Sequence, residues 1–113
     1  ISRGLPAHYL PRFFQRVESK WQINSEIRER IDFCYLNLYE DWVGLPPLDI
    51  IFMRNVLIYF DKATKKMILE KVLKVLKPGG YLFLGSGEKP EGLEDHFQTT
   101  DFSTSACFKL VPA

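Results

Sequence analysis

Residues 50–61 read IIFMRNVLIYFD, an apolar run with one arginine and one asparagine set into its middle. A guanidinium presents a rigid fork of donors suited to a carboxylate, and a carboxamide offers both a donor and an acceptor face. Burying such a pair without partners is costly. Arg54 and Asn55 are therefore candidates for holding a ligand; the plainer alternative is that they end a strand and pair with loop carbonyls or with Asp61. Tyr59 carries a phenol on a rigid apolar ring, able to hydrogen-bond and wall a pocket or simply to pack. Asn37 closes the run IDFCYLNL, either as a turn residue or as a polar tip that meets a ligand. Glu88, in GSGE, is expected to be a first-turn or solvated acid. His8 and His96 have no partners at metal-ligand spacing, and no His–Asp or Cys–His constellation suggests nucleophilic catalysis.

These residues need elements to position them. Two prolines bracket an aromatic-rich turn or short helix in LPAHYLPRFF (5–14), and VESKWQIN (17–24) suits a short strand and turn. SEIRERIDFCYLNL (25–38) starts polar and turns apolar; its end alternates as a strand does, with Asn37 and Leu38 at the tip. LDIIFMRN (48–55) is nearly all apolar, the pattern of a strand covered on both faces. Asp61 can cap a helix over about 62–76, with Ala63, Met67, Val72, Leu73 and Leu76 as its apolar face and a solvated face of lysines. KPGG (77–80) is a strong helix stop. YLFLGSG (81–87) reads as a buried strand and its exit loop, EKPEGLEDHF (88–97) as irregular, and FSTSACFKLV (102–111) as the last strand. A strand–helix–strand unit with buried strands predicts a parallel α/β sheet, the last strand antiparallel at its edge. Ligands of such sheets bind beyond the carboxyl ends of the strands, which singles out 37–38, 54–55 and 85–88.

The composition is that of one globular domain: 113 residues, 46% of them hydrophobic, with a formal net charge of +1. That balance carries no electrostatic footprint for nucleic acid or an anionic membrane. No apolar stretch approaches the roughly 20 residues needed to span a bilayer, and no basic leader precedes an apolar segment. Cys34 and Cys107 are expected as buried free thiols of a reducing, cytoplasmic protein. The chain opens on ISRGLPAHYLPRFF without a methionine and is expected to be a fragment.

The segment LDIIFMRNVLIYFD…ILEKVLKVLKPGGYLFLGSGE resembles the C-terminal half of a CheR-type chemoreceptor glutamate methyltransferase, and the likeness extends back through IDFCYLNL and RGLPAHYLPRFF. Its most specific element is RNVLIYF upstream of LKPGGYLFLG; KPGG alone is common to many methyltransferases. The resemblance implies an α/β, Rossmann-like class I methyltransferase sheet that uses S-adenosylmethionine (SAM) and releases S-adenosylhomocysteine. By the same resemblance, Asn37 and Leu38 contact the adenine, and Arg54 and Asn55 line the pocket near the methionine and sulfonium end. Tyr59 lies near the transferred methyl, so Arg54 and Tyr59 are the catalytic candidates. Residues 13–33 stand where the family has a small docking subdomain, and the family's usual GHSE appears here as GSGE.

The family's glycine loop, its acidic ribose contact and the first two strands of its sheet find no match in this chain. The chain is thus expected to be an incomplete C-terminal part of the enzyme, inactive alone. The strand ending at Leu38 and the strand ending at Arg54 would each lack a neighbour, to be met by direct pairing, strand exchange or an edge-to-edge dimer. The implied partner is the cytoplasmic domain of a chemoreceptor, with neither nucleic acid nor membrane insertion. The implied reaction is an in-line displacement by a carboxylate already ionised at neutral pH. It needs no general base; aligning oxygen, methyl and sulfur can supply about 7–11 kcal/mol. The alternative is a non-catalytic module derived from a methyltransferase that binds a receptor or other partner.

Overall fold

The computed structural model describes residues 4–100 and 106–112. Its contacts divide the chain into two compact units, one ending at Tyr35 and the other beginning at Leu36.

In the first unit a short helix α1 (Tyr9–Phe13) leads into an antiparallel hairpin of β1 (Phe14–Val17) and β2 (Lys20–Ile23), followed by one helical turn, α2 (Ser25–Arg28). The α1 start is closed by the Tyr9 amide donating to the Pro6 carbonyl at 3.0 Å. Glu18 carries the hairpin turn with φ +55°. The Arg16 guanidinium sits 5.9 Å from the ring centroid of Trp21, which it faces across the ladder.

The strand expected at the end of 25–38 does not form. Residues 25–28 are helical, and 32–38 belong to no helix or strand. Phe33 and Tyr35 are 85% and 93% exposed. Alternation marks a segment that could be a strand, but a strand is held by a ladder with a neighbour, and no described strand pairs with this run. Cys34 is consequently exposed, whereas Cys107 is buried; both are free thiols.

The second unit is built on a four-stranded mixed sheet in the order β3-β4-β6-β5. Strand β3 (Leu48–Met53) runs parallel to β4 (Leu76–Leu84), joined by helix α3 (Lys62–Val75). Strand β6 (Ala106–Leu110) is antiparallel to β4 on one side and to β5 (Phe97–Thr99) on the other. The last strand is therefore antiparallel as expected, yet it lies inside the sheet and β5 takes the edge. The short β5 was concealed in a polar stretch, because three residues are too few to show alternation. Residues 102–105 of the expected last strand lie outside the described residues.

Helix α3 begins where the sequence places it. The Asp61 side chain accepts from the Thr64 amide at 2.8 Å, a cap satisfying one of the free donors of the first turn. That contact with Thr64, through its side chain first and its backbone second, holds the Asp61 carboxyl below the usual value. The expected packing face is met in part: Val72 and Leu76 are buried and Leu73 packs against the core, but the stripe is centred nearer Ile68 and Leu69. Ile68, Leu69 and Val72 are buried while Ala63 is exposed. Those three side chains close over Met53, Leu82, Leu84 and Phe108 to form the core.

The helix stops at Val75, just ahead of KPGG as expected, and KPGG itself already lies within the start of β4. Leu48 pairs with Leu76, Ile50 with Tyr81, and the register shift between them accommodates the extra residues. Gly79 takes φ +82° there, a value that a glycine adopts without penalty. Strand β3 is covered on one face only: Met53 is buried under α3, while Ile50 and Phe52 are 50% and 70% exposed. Phe52 stacks on Phe83 of β4 with centroids 4.8 Å apart. The sequence expectation of cover on both faces is not met among the described residues. Among those residues no helix is long and apolar enough to cross a membrane.

Candidate functional site

The site begins where the parallel strands β3 and β4 end, with Met53 paired to Leu84. Beyond Met53 the chain turns sharply. Asn55 adopts φ +60°, a left-handed conformation that asparagine tolerates better than most residues. The turn continues into a single turn of 3-10 helix, Leu57–Tyr59, anchored by the buried Leu57. Beyond Leu84 the chain bends through Gly85–Glu88, with the Glu88 amide donating to the Gly85 carbonyl at 3.0 Å.

The two tips are bonded to each other. Glu88 Oε1 accepts from the backbone amide of Asn55 at 2.9 Å and from that of Gly85 at 2.6 Å. The Asn55 side chain closes over the same spot: a Cβ added at Gly85 would lie 2.3 Å from Asn55 Oδ1 and 2.5 Å from Glu88 Oε1. A side chain at 85 would force the Asn55 and Glu88 side-chain ends to move, and so break the arrangement that glycine permits. Glu88 is thus no free solvated acid; it is half-buried, and its second oxygen, Oε2, is enclosed without a hydrogen-bond partner among the described residues.

Arg54 is exposed and its guanidinium has no hydrogen bond or ion pair among the described residues. The expected desolvation cost therefore does not arise in this chain. Nor is the local alternative realised among the described residues: Asp61 caps α3, and no described loop carbonyl receives the guanidinium. Tyr59 is 80% exposed, so its phenol is not core.

Asn37 and Leu38 sit in a loop instead of at a strand tip. The Asn37 carboxamide is locally occupied. Its Oδ1 accepts from the Tyr39 amide at 3.0 Å and its Nδ2 lies 3.5 Å from Glu40 Oε1, the turn role that a short polar side chain often takes. Leu38 is half-buried and packs against the core. Two contacts fasten this loop to the rest of the unit. Lys71 Nζ, on α3, donates to the Leu38 carbonyl at 3.0 Å and to the Glu40 carbonyl. The Tyr39 ring meets Phe60 edge to face, with centroids 5.5 Å apart. The loop is thereby held beside the turn that carries Tyr59, although no hydrogen bond among the described residues joins Asn37 to the Arg54–Asn55 tip.

Two positions escaped sequence reasoning. Lys71 was counted with a solvated lysine face; the signal that could have set it apart is its place one residue before the buried Val72, next to the helix's apolar stripe. Glu88 reads in the sequence as a first-turn or solvated acid, and only the meeting of β3 and β4 gives it a partner 33 residues away, the Asn55 amide.

A profile of the family described as "CheR methyltransferase, SAM binding domain" matches residues 1–106. The chain is 42% identical over 110 residues to the chemotaxis protein methyltransferase Cher2 of Pseudomonas putida, covering 96% of this chain and 40% of that protein. It is 39% identical over 110 residues to chemotaxis protein methyltransferase 1 of Pseudomonas aeruginosa, with the same two coverages. Against the chemotaxis protein methyltransferase of Escherichia coli the identity is 38% over 100 residues, 84% of this chain and 35% of that protein. The chain spans about two-fifths of the length of the two Pseudomonas relatives. A profile match over nearly all of the chain, together with relatives of this identity, settles its kinship: the chain belongs to the family of CheR methyltransferase SAM-binding domains.

Proposed function

We propose that this chain is the C-terminal part of a SAM-dependent methyltransferase that modifies glutamate side chains on the cytoplasmic domain of a bacterial chemoreceptor, in the cytoplasm. The observation that carries the reading is Arg54, a cation at the end of a parallel strand with no partner of its own among the described residues. A guanidinium left free at a strand tip, where sheets of this type bind ligands, suits a carboxylate of either cofactor or substrate. Asn55 shares the cofactor pocket with it. Tyr59, exposed on the adjoining turn, walls the methyl-transfer region. Asn37 and Leu38 serve the adenine, which requires the Asn37 carboxamide to exchange its local bonds for the base edge.

The four-stranded sheet ends at β3, and its uncovered face carries Ile50 and Phe52. In the proposed reading the first two strands of the class I sheet add to that edge. An edge-to-edge or strand-exchanged dimer is the other way of satisfying the edge, and the molar mass in solution separates the two. The hairpin of β1 and β2 falls in the 13–33 docking segment, with Trp21 and Arg16 on its surface. No catalytic base is called for, because the nucleophile is a carboxylate. The chain's residues bind, orient and exclude water.

The test is methyl incorporation into receptor glutamates by the full-length protein that carries this chain. Arg54→Ala should lower the rate by about 100-fold while leaving thermal stability unchanged, because the exposed guanidinium makes no hydrogen bond or ion pair among the described residues. A wild-type rate in that variant would remove Arg54 from the site. A full-length protein that binds a receptor but transfers no methyl group would replace the enzyme with a binding module.

A further inference from the structure

We infer that Glu88 is a positioning residue for methyl transfer: its carboxylate fixes the Arg54–Asn55 peptide in the orientation that aims the guanidinium. The inference rests on the function proposed above. Three observations carry it. Glu88 Oε1 takes hydrogen bonds from two backbone amides that belong to different strand tips, Asn55 and Gly85, at 2.9 and 2.6 Å. Asn55 holds φ +60°, a conformation that needs outside support at a non-glycine residue, and Glu88 grips the amide of that same residue. Arg54 has no bond of its own among the described residues, so the peptide that Glu88 holds sets where its side chain leaves the backbone and hence the region its guanidinium can reach.

The neighbourhood leaves little slack. Asn55 Oδ1 and Glu88 Oε1 both stand against the Gly85 backbone, so the two side chains share one small space between the strand tips. Glu88 Oε2 is enclosed and unpartnered. A buried acceptor left unsatisfied calls for an explanation beyond packing. Here the side chain is kept for what Oε1 does, and a carboxamide oxygen at the same reach could do it as well. Glu88 touches neither cofactor nor substrate in this reading; it acts through Arg54 and Asn55.

The experiment uses the full-length protein and three variants. Glu88→Gln keeps an acceptor at the same reach, Glu88→Asp keeps the charge one methylene short, and Glu88→Ala removes both. Hydrogen exchange followed by mass spectrometry reads the Asn55 and Gly85 amides, with the α3 amides as the control for folding. Steady-state kinetics reads kcat and KM for methyl transfer. Wild type and Glu88→Gln should protect both amides, while Glu88→Asp and Glu88→Ala lose that protection with α3 unaffected. The last two should also lose about 10- to 100-fold in kcat, the scale of a misplacement of about 1 Å, and Glu88→Gln should recover most of it. Should Glu88→Ala unfold, the Gln and Asp pair still decides. Rescue by Asp and not by Gln, or amides indifferent to all three changes, overturns the inference. If the wild-type protein transfers no methyl group, the proposed function falls, and the amide exchange still reports separately on whether Glu88 ties the two tips.

Discussion

Lys71→Met isolates how the loop bearing Asn37 and Leu38 is held. The substitution keeps an unbranched apolar stem and removes the ammonium that donates to the Leu38 carbonyl at 3.0 Å and to the Glu40 carbonyl. A hydrogen bond to a charged group contributes about 1.5–3 kcal/mol when its surroundings are dry. The Leu38 bond is part-buried and the Glu40 bond is exposed, so water replaces much of the second. The pair together should hold the loop by about 2–3 kcal/mol, which converts to about 30- to 150-fold in the population of the fastened loop. If Asn37 and Leu38 contact the adenine, affinity for S-adenosylhomocysteine in the full-length protein should fall by that factor. Calorimetric titration measures it. The Tyr39–Phe60 contact survives the change, so the loop loosens without leaving, and the lower end of the range is the firmer expectation. Lys71→Arg retains a cation on a stem of similar length and should restore most of the affinity. Binding by Lys71→Met within about twofold of wild type, a difference of only a few tenths of a kcal/mol, would show either that the clamp does not order the loop or that the loop does not meet the cofactor.

Tyr59→Phe should slow methyl transfer with little change in cofactor affinity, since an exposed phenol has no core to support; equal rates in single-turnover assays would reduce Tyr59 to a surface ring. Leu82→Ala empties the middle of β4, where the side chain is fully buried beneath α3, and should cost about 2–5 kcal/mol in urea unfolding, a large share of a typical domain's stability. Asp61 gives a pH signature. Its folded-state value lies below the ordinary 3.8, so its contribution is present above that value and is lost as the pH falls through the lower folded one. Asp61→Asn keeps a capping oxygen that does not titrate. Below about pH 4 the wild type should therefore lose stability more steeply than Asp61→Asn in thermal scans, and parallel curves would show that the cap carries no charge dependence.

Much of the helix was legible because its signals are local. Asp61 caps α3 through an amide three residues away, and the helix ends within one residue of its expected limit. Its apolar face is legible at Val72, Leu73 and Leu76, which meet the core, whereas Ala63 is exposed and Ile68 and Leu69 complete the stripe. Which stripe packs is decided by Leu82 and Leu84, side chains supplied by another element. IDFCYLNL shows the opposite case. Its pattern is strand-like, yet the ladder that would make it a strand depends on a neighbour, and none of the described strands pairs with it.

The candidate site divides along the same line. The sequence by itself determined that Arg54 and Asn55 stand at the end of an apolar strand, that a glycine turn ends the next one, and that the motifs around them are those of a methyltransferase family. Those are statements about residue type and order, and they need no partner to hold. Only the tertiary structure decided that Arg54 finds no partner among the described residues, that Lys71 fastens the loop at 38–40, and that Glu88 bridges two strand ends. The physical reason is distance along the chain. Hydrogen bonds that join residues 33 apart exist only after parallel strands and their crossover helix have brought those residues within about 3 Å of one another.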